Sequence, residues 1–249
     1  MAAPAAFEFC LRLGDNDLIL SQRLGEWCGR GPVLEEDLAL TNVALDLLGQ
    51  ARLWLGHAAA LEGRGRDEDQ LAFLRDAGEF RNLLLVEQPN GDYAHTMVRQ
   101  FYFDAWHLPL LEALGSASDP SLRDIAAKAV KEVAYHLQRS RDWVVRLGDG
   151  TEESHRRMQA AADQLWPYTG EMLAADAVEA SLGEAGFDLE AVGVPWRQQV
   201  ESTFARATLE VPAAGWMQRG GKQGVHSEKL GLLLAEMQFL QRAYPGAQW

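Results

Sequence analysis

Cysteine is nearly absent from this 249-residue chain, which has Cys10 and Cys28 alone. With no Cys-x-x-Cys or His-Cys spacing, a disulfide framework is excluded, and the pair reads as two buried thiols in a reducing compartment. No window of about 20 residues is free of charge, so no transmembrane helix is expected. Met1 to Asp17 lacks a basic stretch followed by an apolar run, so no secretory signal is expected and the chain is read as cytoplasmic. Basic residues are in deficit: 23 Lys and Arg against 36 Asp and Glu, a net charge of −13. That argues against nucleic acid and anionic membrane as partners. It leaves room for a basic partner, or for an anionic ligand in a local basic pocket. Proline is sparse in the first two-thirds, and no strand-like alternation is long enough to argue for a sheet.

What is present is material for helices and a sizeable core. Hydrophobic residues make up 47% of the chain and there are eight tryptophans. Trp27, Trp54, Trp106, Trp143, Trp166, Trp196, Trp216 and Trp249 suit both core and interface. The first helix is predicted over Leu11–Cys28, ended by Gly29, Gly31 and Pro32. The second runs from Leu34 to Leu61 and the third from Asp67 to Val86. Pro89-Asn90-Gly91 is a turn, and the fourth helix covers Asp92–Leu114. Asp119-Pro120 reads as the start of a fifth that reaches Leu147. Helices two and three, and four and five, are expected to form two hairpins. Shorter helices are expected over 152–166, 171–185 and 196–208, and a last one over Ser227–Tyr244. One all-α domain over 1–249 follows, with a bundle core at 34–147 and a helical extension at 151–249.

Four acids, Asp46, Asp76, Asp104 and Glu132, fall one to each of helices two to five, at gaps of 30, 28 and 28 residues. Each has apolar residues at helical spacing around it; for Asp104 these are Met97, Phe101, Leu108 and Leu111. Acids in a core stripe are costly unless paired, protonated or on metal. Four in register outline the ferritin-like carboxylate di-metal bundle, which takes one Glu from each of two helices and Glu-x-x-His from each of the other two. Here Asp76 is followed at +3 by Glu79 and Glu132 by Tyr135, so the imidazoles are missing. The pattern is that of an eroded metal site.

Other readings of the same residues stay open. His136 lies at +4 from Glu132, a spacing at which two helical side chains can share one metal. Asp104-x-x-His107 is a half-motif on the wrong helix, and His95 is 12 residues before His107. The acids can equally form hydrogen bonds and ion pairs with Arg75, Arg99, Lys128, Lys131 or Arg139. Arg219-Gly-Gly-Lys222-Gln-Gly224 precedes the last helix, and glycine-rich backbone with Lys222 and Arg219 can cradle a phosphate, although no complete P-loop pattern occurs. A plain loop, or a contact between protein chains, is the simpler reading of that segment.

Several segments carry a resemblance: Leu13-Gly-Asp-Asn-Asp-Leu-Ile-Leu20, Leu45-Asp-Leu-Leu-Gly-Gln-Ala-Arg52, Asn82-Leu-Leu-Leu-Val-Glu-Gln-Pro-Asn-Gly91, Phe103-Asp-Ala-Trp-His107, Lys131-Glu-Val-Ala-Tyr-His-Leu137, Gly220-Gly-Lys-Gln-Gly-Val-His-Ser-Glu-Lys-Leu-Gly231 and Leu234-Ala-Glu-Met-Gln-Phe-Leu-Gln-Arg242. Over nearly the whole chain they resemble the C subunits of the bacterial ring-1,2-phenylacetyl-CoA epoxidase, a multicomponent monooxygenase of aerobic phenylacetate degradation. The resemblance implies a ferritin-like structural subunit without catalytic residues or a metal of its own. It implies a sister A subunit that holds the di-iron centre, and a reductase with flavin and an iron–sulfur centre fed by NADPH. Phenylacetyl-CoA would lie near the subunit interface; a homodimer of the isolated chain is left open. Two alternatives stand beside it. One is a metal oxidase using Asp46, Asp76, Glu79, Asp104, Glu132 and His107 or His136. The other is an acyl-CoA-binding module with Arg219 and Lys222 at the phosphates.

Overall fold

The computed structural model describes residues 3–183, 188–213 and 215–247. Among these the chain is all-helical and has no strand. Its helices are α1 (Ala3–Gly25), α2 (Leu34–Glu62), α3 (Glu68–Phe73), α4 (Tyr93–Leu114), α5 (Pro120–Gly148), α6 (Glu152–Leu165), α7 (Ala177–Gly183), α8 (Leu189–Arg206), α9 (Glu228–Met237) and α10 (Phe239–Ala243). None of the described helices is long and apolar enough to cross a membrane. The chain divides into two compact units, Met1–Pro89 with Gly220–Trp249, and Asn90–Arg219.

In the first unit α1 packs along α2. The contact face of α2 repeats at helical spacing through Leu40, Val43, Leu47, Ala51, Trp54 and Ala58, all buried. From α1 it meets a buried set that includes Leu11, Leu18 and Ile19. Gly14 lets the two axes approach, since a Cβ there would lie 2.7 Å from the Leu55 side chain. The first helix is therefore a core helix, longer at its N-terminal end than predicted. Cys10 is buried as expected, but Cys28, past the end of α1, is exposed.

The helix predicted over Asp67–Val86 is the main correction. Only Glu68–Phe73 is α-helical; a 3-10 turn follows at Ala77–Glu79, and the chain is then irregular as far as the cap of α4. Asp76 starts the 3-10 turn, its N–H donating to the Glu79 carboxylate at 2.8 Å. Gly78 and Asn82 weaken any continuation of the helix. Side chains of α1 then capture the backbone. The Asp15 carboxylate accepts the Arg81 N–H at 2.8 Å, and Asn16 Oδ1 accepts that of Leu83 at 2.7 Å. The apolar residues Phe80, Leu83, Leu85 and Val86 are buried without being helical. The hairpin expected from helices two and three is thus replaced by the α1–α2 pair.

The C-terminal segment closes the same unit. Gln238 interrupts the predicted last helix, giving α9 and α10. Its amide donates to the carbonyls of Ala72 and Arg75, each at 3.0 Å. Arg242 donates to the carbonyls of Phe73, Leu74 and Arg75. These include carbonyls that the end of α3 leaves without helical partners.

The second unit follows the prediction more closely. Asp92 caps α4 by accepting the His95 N–H at 2.9 Å, and Asp119 caps α5 with Pro120 in its first turn. Helix α4 is buried on nearly every side from Thr96 to His107 and contacts α5, α6 and α8. Trp196 of α8 donates its indole N–H to the Tyr102 carbonyl at 3.0 Å, and its ring stacks on Trp166 with centroids 5.7 Å apart. Helices predicted over 171–185 and 196–208 are shifted to α7 and α8; residues 184–185 lie outside the described residues. Trp54, Trp106 and Trp196 are core, Trp216 is exposed, and Trp249 lies outside the described residues.

Two glycines test the packing of the C-terminal segment. Gly224 has φ +77° and a Cβ there would lie 2.2 Å from the Gly78 carbonyl oxygen. Gly231, inside α9, has nothing near its Cβ position. Gly224→Ala should cost about 2 kcal/mol or more, and Gly231→Ala should stabilise by about 0.5–1 kcal/mol. Urea unfolding of the two variants measures both, and equal effects would contradict this packing.

Candidate functional site

The seven positions of the predicted eroded metal site do not share one environment. Asp46 is half-buried on the flank of α2, one residue from Leu47 and so about 100° around the helix from the core face. Asp76 and Glu79 are exposed, not in a helical stripe, and Asp76 pairs with Arg242 at 2.9 Å. Glu132 is half-buried and Tyr135 exposed. The core face of α5 instead runs through Leu122, Ala126, Ala129, Val133, His136, Ser140 and Val144. Of the four acids only Asp104 is fully buried. The stripes predicted around Asp46 and Glu132 were rotated by one residue, and the stripe around Asp76 has no helix to carry it.

The buried group in the second unit is built on two facing helices. Asp104 of α4 accepts hydrogen bonds from Gln100 Nε2 at 2.7 Å and from Ser140 Oγ of α5 at 2.8 Å. Burial raises its pKa to about 6, against the opposing pull of the His136 and Arg139 charges and of its two hydrogen bonds. His107, one turn along α4, is also buried, 4.9 Å from the Phe103 ring. Burial and the charge of His136 lower its pKa to about 3, so it is neutral at pH 7. His136 is buried with them, whereas His95 belongs to the first turn of α4.

A di-iron centre does not fit these residues. Both oxygens of Asp104 are engaged by neutral donors, an amide and a hydroxyl, and Glu79 and Asp76 are tied into a turn. Among the described residues no group of three or more His, Cys, Asp or Glu side chains converges as a metal would require. The glycine-rich segment is also more enclosed than predicted. Gly221 and Lys222 are buried in the first unit, in a 3-10 turn, while Arg219 is exposed and belongs to the second.

A second buried polar group was not foreseen. Asp15 and Arg75 form a fully buried ion pair in the first unit. Glu87, also fully buried, accepts from His226 Nδ1 at 3.0 Å, from the Ser227 N–H at 2.8 Å and from Asn82 Nδ2 at 3.2 Å. Glu87 and His226 are 139 residues apart, so no local spacing could have paired them. The signal available was only the polar run Asp15-Asn16-Asp17 in the middle of a helix that also carries a long apolar set.

The fold and these groups define an all-helical protein that buries isolated, internally satisfied acids. The chain belongs to the phenylacetic acid catabolic protein family, which matches it over residues 1–249. It is 53% identical over 243 residues to the C subunit of the 1,2-phenylacetyl-CoA epoxidase of Escherichia coli (strain K12), a match covering 97% of this chain and 98% of that protein.

The raised pKa of Asp104 has a direction in stability. A carboxyl whose folded pKa exceeds its unfolded value of 3.8 contributes stability that is full below 3.8 and lost as pH rises through about 6. Asp104→Asn mimics the protonated form, with Gln100 able to turn its amide to accept. Near pH 4 the variant should match the parent chain; by about pH 8 it should be more stable, by up to about 3 kcal/mol. Urea titrations at the two pH values decide, and a parallel pH dependence would show that Asp104 is not a strained charge.

Proposed function

We propose that the chain is the C-type subunit of a phenylacetyl-CoA epoxidase and acts there as a non-catalytic structural partner of a di-iron A subunit. Its helices would belong to a ferritin-like four-helix bundle forming one domain. The observation that carries this reading is the 53% identity to the Escherichia coli C subunit over nearly the full length of both chains. The scatter of Asp46, Asp76, Glu79 and Glu132, with each Asp104 oxygen held by a neutral donor, supports leaving the oxygen chemistry to the partner. Phenylacetyl-CoA would meet this chain, if at all, near the subunit interface, in a complex with further subunits.

A surface on α2 supports the subunit role. Leu34, Leu38, Leu45 and Leu48 are all exposed and fall on one side of the helix, away from Leu40, Val43 and Leu47. Such an apolar stripe is unusual for a chain that works alone.

The test is reconstitution with the A subunit. Turnover should require both chains, and iron retained after anaerobic loading with ferrous ion should follow the A subunit. Leu38→Glu with Leu45→Glu should lower co-purification about tenfold or more while leaving the helical content intact. About two irons per isolated chain, lost on Asp104→Ala, would overturn the proposal and make this chain an oxidase.

A further inference from the structure

His226 sits between two acceptors. Its Nδ1 lies 3.0 Å from Glu87 Oε2 and its Nε2 3.0 Å from the Phe80 carbonyl oxygen. A carbonyl oxygen can only accept, and so can an ionised carboxylate. A neutral imidazole has one N–H, so it can satisfy one of these contacts and must oppose lone pairs at the other. The side chains are 4% and 0% exposed, so water is not available to relieve the mismatch. We infer that His226 is held as the imidazolium, and that its second proton is the fastener that closes Gly220–Ser227 over the Phe80–Glu87 segment.

The surroundings favour the cation. Glu87 faces it from the irregular segment and Asp15 from α1, the latter already paired with Arg75. Arg23 and Lys229 are turned elsewhere: Arg23 donates to the backbone carbonyls of Glu87 and Lys229, and Lys229 donates to the Gln88 amide oxygen at 2.9 Å. The Arg81 guanidinium shares the Phe80 carbonyl oxygen with His226 and opposes the charge, but it also binds the Gly78 carbonyl and is paired with Glu8 at 2.8 Å. Burial opposes the charge, but the hydrogen bonds to Glu87 and Phe80, with the charges of Glu87 and Asp15, outweigh it and raise the pKa of His226 above 6.5. A raised His contributes stability that is full below 6.5 and lost as pH rises through the folded value. The Ser227 N–H donates separately to the other oxygen of the same carboxylate, Glu87 Oε1, at 2.8 Å, so a carboxylate released by His226 is left on that single tie to the segment's end and on Asn82. The far end of the segment is fastened by Gln238 and Arg242, through hydrogen bonds to the carbonyls of Ala72 and Arg75 that do not involve His226. Release should therefore be local, at residues 220–229, while α10 stays in place.

The measurement is a titration of the imidazole nitrogens of the full, unmodified chain from about pH 5.5 to about 9, with His226→Gln used to assign the resonance. Amide exchange is followed over the same range. At pH 6 both nitrogens of His226 should carry protons. Exchange at 220–229 should accelerate, beyond the intrinsic effect of base, by about tenfold or more above the His226 midpoint, with 239–243 lagging behind. In Glu87→Gln the midpoint should fall below that of the unmodified chain and the excess acceleration should vanish. A single neutral tautomer at pH 6 would overturn the inference, because Glu87 would then hold the proton. So would a titrating His226 with no change in exchange at 220–229. The decisive readings come from the unmodified chain, so a variant that fails to fold leaves the test intact.

Discussion

Buried backbone without a regular ladder must find its hydrogen-bond partners among side chains, and the first unit is organised around that demand. The stretch from Leu74 to Gln88 buries several apolar side chains, yet only a 3-10 turn gives it repetitive structure. Its amides are taken by Asp15 and Asn16 of α1, and its carbonyls by Arg23, Arg75, Gln238, Arg242 and His226. The polar residues in α1, the ion pair at its centre and the course of the C-terminal segment are three consequences of one constraint. Removing the Asn16 side chain would strand the buried Leu83 amide, at a cost of about 1–3 kcal/mol, whereas the carbonyls of Phe80 and Arg75 each have a second donor.

The two units bury an acid in opposite ways. Glu87 is given an imidazole, a backbone N–H and an amide, and adjoins a network that already balances Asp15 with Arg75. Asp104 is given an amide and a hydroxyl, and burial prevails over the pull of the His136 and Arg139 charges. The first arrangement keeps charge in the interior by pairing it, the second by letting protonation compete near neutral pH. Both carboxylates are engaged from within the fold, Glu87 by three donors and Asp104 by two.

The helices that could be read from sequence were those with local start and stop signals. Asp92 for α4 and Asp119-Pro120 for α5 act where they were expected to. The third helix failed because its apolar spacing is compatible with a buried irregular stretch of chain, and the residues that decide between the two, Asp15 and Asn16, lie more than 60 positions away. The burial of Asp104 was legible because Met97, Phe101, Leu108 and Leu111 surround it at helical spacing. The environments of Asp46 and Glu132 were not, since a one-residue error in the assumed face turns a core position into a flank. Gln100 and Ser140 were missed because a neutral donor leaves no mark in a search for charges and ligands. His226 was missed because its partners, an acid and a carbonyl, are distant in sequence.

Three of the segments on which the family resemblance rests converge in space. Asp15 and Asn16 belong to Leu13–Leu20, Glu87 to Asn82–Gly91, and His226 and Ser227 to Gly220–Gly231. These three segments meet in the first unit through the Asn16–Leu83 and Glu87–His226–Ser227 contacts. What the resemblance reads there is a tertiary tie between an N-terminal helix, an irregular segment and a C-terminal strap. A catalytic ligand set would instead draw one side chain from each of several helices toward a common point. A chain whose recognisable residues hold its own backbone in place has its specificity invested in shape, and shape is what a subunit without its own reaction centre would present to a partner.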